Sequence, residues 1–103
     1  MRVSELLLPG KENAIQGRRL VDLLGLKDLR DLTQIIERER KDGIPICAST
    51  DIGNPGYYLA DGPEELEEYI TSLDRRLRNV GRTRNHLEDT FLKMTGQIKM
   101  GGC

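Results

Sequence analysis

Gly17-Arg-Arg-Leu-Val-Asp-Leu-Leu-Gly25, followed by Leu26-Lys-Asp-Leu-Arg-Asp-Leu-Thr-Gln-Ile-Ile-Glu-Arg-Glu-Arg-Lys-Asp-Gly43, Ile44-Pro-Ile-Cys-Ala48, a polar loop and Gly56-Tyr-Tyr-Leu59, is the stretch that decides the fold. Gly17 can cap a first helix whose Leu20, Val21, Leu23 and Leu24 make one buried face, and Gly25 supplies the left-handed residue that ends it. Leu29, Leu32, Ile35 and Ile36 then recur at three and four residues, the helical period, which predicts a second helix from Lys27 to Asp42, stopped by Gly43. After that glycine the period becomes two. Ile44, Ile46 and Ala48 face one side of a strand, and Tyr58 and its neighbours return after a loop rich in turn formers, Gly53, Asn54, Pro55 and Gly56. The result is a β-hairpin.

Upstream, Val3 to Leu8 is apolar enough for one or two helical turns, Pro9 to Asn13 reads as a loop, and Ala14-Ile15-Gln16 can add an edge strand beside the hairpin. Downstream, Asp61-Gly62-Pro63-Glu64 is a helix start, with proline suited to the first turn and Glu64 and Glu65 favoured at the positive end of the dipole. From there Leu66, Ile70, Leu73, Leu77, Val80, Arg84, Leu87, Phe91 and Met94 alternate by four and three residues. That is a heptad seam on a helix of about 45 Å at ~1.5 Å per residue. A domain of about 60 residues cannot cover so long a seam. A second copy of the chain is therefore expected to bury Leu66, Ile70, Leu73, Leu77, Val80, Leu87 and Phe91, with Arg84 and Gly81 weakening the pattern locally. The expected organisation is a domain over 1–60, a dimerisation helix over 61–95 and a flexible tail over 96–103, in an α+β, mainly helical fold.

Composition sets limits on function. A formal charge of −1 on 103 residues argues against a binder that relies on bulk positive charge, so any contact with nucleic acid must come from a local patch. Aromatics at 4% and the absence of tryptophan leave the core to leucine, isoleucine and valine. Met1 to Pro9 does not resemble a signal peptide, and no run nears the ~18 apolar residues of a membrane span, so a cytoplasmic protein without a membrane partner is expected. Cys47 and Cys103 make neither a disulfide framework nor a metal knuckle. Cys47 reads as a small buried thiol, and Cys103 ends a Gly-Gly tail where it could cross-link two chains. His86 stands alone, without the cysteines or paired carboxylates of a metal site. Neither Ser49, Thr50 nor Cys47 has a base placed by sequence, and no glycine-rich phosphate loop follows a strand. No enzymatic activity, cofactor, metal or small-molecule ligand is expected.

If the apolar residues of the second helix face inward, the 100° step per residue gathers Lys27, Arg30, Gln34, Arg38 and Lys41 on its outer face. Asp28, Glu39 and Asp42 fall toward the flanks, while Asp31 and Glu37 border the stripe. Arginine pairs guanine and glutamine pairs adenine through two hydrogen bonds each, so Arg30 and Gln34 are candidates to read bases and Lys27, Arg38 and Lys41 to hold phosphates. An ordinary solvated helix face is the competing explanation. Arg75, Arg76, Arg78, Arg82 and Arg84 could touch phosphates or pair with Glu64, Glu65, Glu67 and Glu68 of an antiparallel partner helix. The hairpin loop between Ala48 and Tyr57 offers Asp51 and no basic residue, which suits packing, or contact through Asn54 and backbone N–H groups.

The run from Ala14 to Leu59, with Arg18-Arg-Leu-Val-Asp-Leu-Leu-Gly-Leu26, Ile36-Glu-Arg-Glu-Arg-Lys-Asp-Gly-Ile-Pro-Ile46 and Gly56-Tyr-Tyr-Leu59, resembles the winged helix-turn-helix of biotin-operon-repressor type. It is similar, more closely, to small prophage-encoded proteins of Gram-positive bacteria that append a long C-terminal helix. The resemblance implies a recognition helix over 27–42 and DNA-binding transcriptional regulation, with double-stranded DNA as partner. No biotin-binding or ligase region is present, so no ligand is implied. The alternative is a winged-helix module for protein contacts that assembles through 64–94 without binding DNA.

Overall fold

In the computed structural model, which describes residues 2–96, the chain is mainly helical, with a two-stranded antiparallel sheet and a long C-terminal helix. The elements are α1 (Gly17–Leu24), α2 (Leu29–Lys41), β1 (Ile46–Ser49), β2 (Gly56–Leu59) and α3 (Pro63–Met94), preceded by short 3₁₀ turns at Val3–Glu5 and Lys11–Asn13. Two compact units divide between Tyr69 and Ile70. The first turns of α3 therefore belong to the N-terminal unit. Residues 97–103, where most of the expected tail and Cys103 fall, lie outside the described residues.

Helices α1 and α2 end by the same device. Gly25 (φ 65°) and Gly43 (φ 94°) adopt the positive φ that a side chain disfavours. At α1, Leu26 N–H reaches Val21 O at 2.9 Å and Gly25 N–H reaches Asp22 O at 3.3 Å. At α2, Ile44 N–H reaches Glu39 O at 3.1 Å and Gly43 N–H reaches Arg40 O at 3.0 Å. These paired bonds satisfy carbonyls that a helix end otherwise leaves open. The start of α1 differs from expectation, since Gln16 is the N-cap and Gly17 is the first helical residue. A Cβ on Gly17 would stand 3.0 Å from Leu29 Cδ2, so this glycine lets α1 approach α2.

The core of the N-terminal unit has two parts because both faces of the hairpin are covered. Val3, Leu7, Leu20, Leu32, Ile36 and Ile46 form the larger cluster, and Cys47, Tyr58 and Tyr69 the smaller. The register sets Ile46 opposite Leu59 and Cys47 opposite Tyr58, and these successive residues of β1 enter different clusters. Ile44, Ile46 and Ala48 do not share one side as expected: Ile44 joins Ile46 at the larger cluster, while Ala48 packs against the smaller. Fully buried Leu32 and Ile36 each contribute about 1.5–3 kcal/mol by leaving water.

Strand β2 is paired on both sides. Ile15 and Tyr57 exchange two N–H···O bonds of 2.8 Å, which realises the expected edge pairing. Pro9 bridges Leu59 in parallel sense, through Gly10 N–H to Leu59 O (2.9 Å) and Leu59 N–H to Leu8 O (3.0 Å). A parallel bridge uses the donors of neighbouring residues, so the N–H that proline lacks is not needed.

Glu39, expected on a flank of the α2 stripe, is buried. Its carboxylate accepts Val3 N–H at 2.7 Å and Ser4 N–H at 3.0 Å, tying the N-terminus to α2. Arg40 binds the other side of the unit: Nε donates to Ile46 O at 2.9 Å, and Nη2 to the Tyr69 hydroxyl at 3.1 Å, with the guanidinium 5.7 Å from the tyrosine ring centre. Leu66, expected in a dimer seam, packs instead against Cys47, Tyr58 and Tyr69 of its own unit. Within the second unit the rest of the seam is exposed, from Ile70 (49%) and Leu73 (37%) to Met94 (82%). Among the described residues no helix is long and apolar enough to cross a membrane.

Candidate nucleic-acid interface

Helix α2 starts later than its apolar pattern predicts. Asp28 is the N-cap, its Oδ1 accepting Asp31 N–H at 3.0 Å. Lys27 therefore sits in the turn before the helix, and Asp42 follows its last residue. Arg30, Gln34, Arg38 and Lys41 follow one ridge of α2 at steps of four, four and three residues. All four, and Lys27, are exposed. The opposite face carries Leu32 and Ile36 into the core, as the period requires. Leu29 departs from that pattern, being 44% exposed at the start of the helix.

Of the two acids that border the stripe, Glu37 pairs with Arg40 at 3.0 Å and Asp31 is half-buried. On the flanks, Glu39 is buried and Asp28 caps the helix. Among the described residues, Lys27, Arg30, Arg38 and Lys41 enter no ion pair. Their charges are therefore open to a partner from outside the chain.

Two further contributors escape the sequence reading. An open cleft of about 590 Å³ between α1 and the start of α2 is lined by Arg18, Lys27 and Arg30, with Leu29 and the acids Asp22 and Asp28. A second groove, of about 500 Å³, is lined by Gln16, Arg18, Leu29, Pro55 and Tyr57. Arg18 and Leu29 wall both, so the start of α1, the start of α2 and the base of the hairpin form one surface. The signal for Arg18 was the acid-free Gly17-Arg18-Arg19 at a helix start. Lys11 had no such signal: it reaches the hairpin loop and pairs with Asp51 at 2.6 Å, which neutralises the only charge there.

No family model, curated protein or solved structure matches this chain.

The remaining candidates carry no such surface. Cys47 is fully buried, and burial pushes its thiol up from the ordinary value, which makes it an unreactive core residue. His86 is exposed on α3. Of the arginine run, Arg84 pairs within its own helix with Glu88 at 2.6 Å, and Arg82 reaches Asn79 at 3.4 Å. Glu65 accepts Asp61 N–H at 2.8 Å and Lys11 N–H at 3.3 Å, so this acid stabilises the start of α3.

Proposed function

We propose that this chain is a winged-helix DNA-binding protein, a transcriptional regulator of phage or prophage origin that grips duplex DNA as a homodimer through α2. The observation that carries the reading is the ridge Arg30, Gln34, Arg38 and Lys41: exposed, free of internal ion pairs, and backed by a helix face buried in the core. The order of an Ile15 edge pair, two helices and a hairpin supports it, being the element order of that fold. In this reading Arg30 and Gln34 meet base edges, while Lys27, Arg38, Lys41 and Arg18 meet phosphates. The apolar face of α3 joins two copies, and the phage origin rests on the resemblance of residues 14–59.

Fluorescence anisotropy on mixed duplex fragments across a salt series tests this. Four phosphate contacts from each of the two copies would give a slope of about −7 in log affinity against log salt. Arg30→Ala with Arg38→Ala removes four contacts from the dimer and should reduce affinity roughly 1000-fold or more and flatten that slope, at about 1–3 kcal/mol per contact. Both side chains are exposed, so the variant should melt like the parent. A parent chain that leaves every duplex unbound at low salt overturns the reading. It would favour a module for protein contacts, which the uncharged remainder of the hairpin loop and its fully exposed Ile52 also suit.

A further inference from the structure

The exposed face of α3 can pair with a second copy of itself, and Arg84 makes its pattern favour one direction. Its seven apolar side chains between Ile70 and Met94 are 37–82% exposed in the single chain. Two such faces would bury roughly 700 Å² each, within the ~1,200–2,000 Å² total of stable interfaces. We infer that a second copy covers this face with its helix running antiparallel, in the register that sets Leu77 against Leu87 and Leu73 against Phe91. The inference rests on the homodimer reading above and adds the direction and alignment of the helices.

Three observations carry it. The seam positions pair about a midpoint at residue 82: Ile70 falls opposite Met94, Leu73 opposite Phe91 and Leu77 opposite Leu87, and Val80 meets Arg84. In a parallel in-register pair Arg84 would instead face Arg84 of the other copy across the seam, placing like charges at one level. The antiparallel register puts Arg84 beside Val80, where its stem packs on apolar surface while its guanidinium stays on Glu88, 2.6 Å away in its own helix. Asp74 and Glu88 of opposite copies approach on one flank of this register, and the same Arg84 offsets their repulsion.

Gly81 is the third observation. It lies beside the midpoint, and nothing stands within 4 Å of where its Cβ would be. A glycine inside a helix costs about 1 kcal/mol relative to alanine, and here it lets two backbones approach where the copies cross.

Disulfide trapping on the full chain with Cys103→Ser tests the register, since buried Cys47 does not compete. Leu77→Cys and Leu87→Cys, on chains of different tag length, are oxidised separately and as a mixture. The expected result is a cross-linked heterodimer in the mixture and little cross-linking of either variant alone. The two Leu77 positions lie about 15 Å apart along the axis in the antiparallel pair, beyond disulfide reach. Cross-linking of Leu77→Cys with itself would overturn the antiparallel direction and leave the dimer standing. A dimer by light scattering that forms no mixed cross-link would overturn the register. A monomer at high concentration would overturn the dimer reading and this inference together.

Discussion

Glu39→Gln is the substitution whose outcome the structure specifies most closely. The carboxylate is 5% exposed and each oxygen takes one backbone N–H, from Val3 at 2.7 Å and Ser4 at 3.0 Å. An amide keeps the shape but turns one acceptor into a donor aimed at a donor. With Val3 fully buried, the lost charge-assisted bond and the orphaned N–H should cost about 2 kcal/mol. For a unit of this size that lowers the melting temperature by roughly 8–16 °C. Tyr57, Tyr58 and Tyr69 are the chain's three tyrosines and all lie in the N-terminal unit, so tyrosine fluorescence during thermal or urea unfolding reports that unit. The pH dependence gives a second, independent check. Burial pushes this carboxyl up, but hydrogen bonds from Ser4 and Val3 and the charge of Arg2 outweigh it and hold the carboxyl below its ordinary value of 4.5. A folded-state value lower than the unfolded one adds stability above about pH 4.5, and that stability is lost as pH falls through the folded-state value. Parent and variant should therefore differ at neutral pH and converge in acid. A variant as stable as the parent at pH 7, or a gap that does not shrink on acidification, would refute this account of Glu39.

Two other substitutions probe contacts that span the N-terminal unit. In Gly56→Ala the new Cβ would stand 2.1 Å from the Ile15 carbonyl oxygen at φ 122°, so the Ile15–Tyr57 bridge must break; a loss of about 3 kcal/mol or more in urea unfolding is expected. Arg40→Ala removes the donors to Ile46 O and the Tyr69 hydroxyl and should cost about 1–3 kcal/mol in urea unfolding; under the proposed DNA-binding role it should leave affinity unchanged, because Arg40 lies off the Arg30–Lys41 ridge.

Some of this protein was determined within short windows of sequence. Gly25 and Gly43 stop two helices because positive φ is a property of one residue, and Pro63 with its glutamates starts the third through the geometry of one turn. The period of Leu32 and Ile36 fixed which side of α2 faces the core, and so left Arg30, Gln34, Arg38 and Lys41 outside. The rest needed residues far apart in the chain to meet. Glu39 has the same charge as Asp31 and Glu37 on the same helix, and only the backbone of Val3 and Ser4 makes it a buried acceptor. Leu66 obeys the heptad rule, yet the small cluster of Cys47, Tyr58 and Tyr69 captures it. Lys11 reaches Asp51 where β2 holds the N-terminal segment against the hairpin, and Arg18 joins Lys27 and Arg30 because α1 packs on α2. Periodicity says which side of an element is apolar. What covers that side, and which charges are used in covering it, is decided by packing.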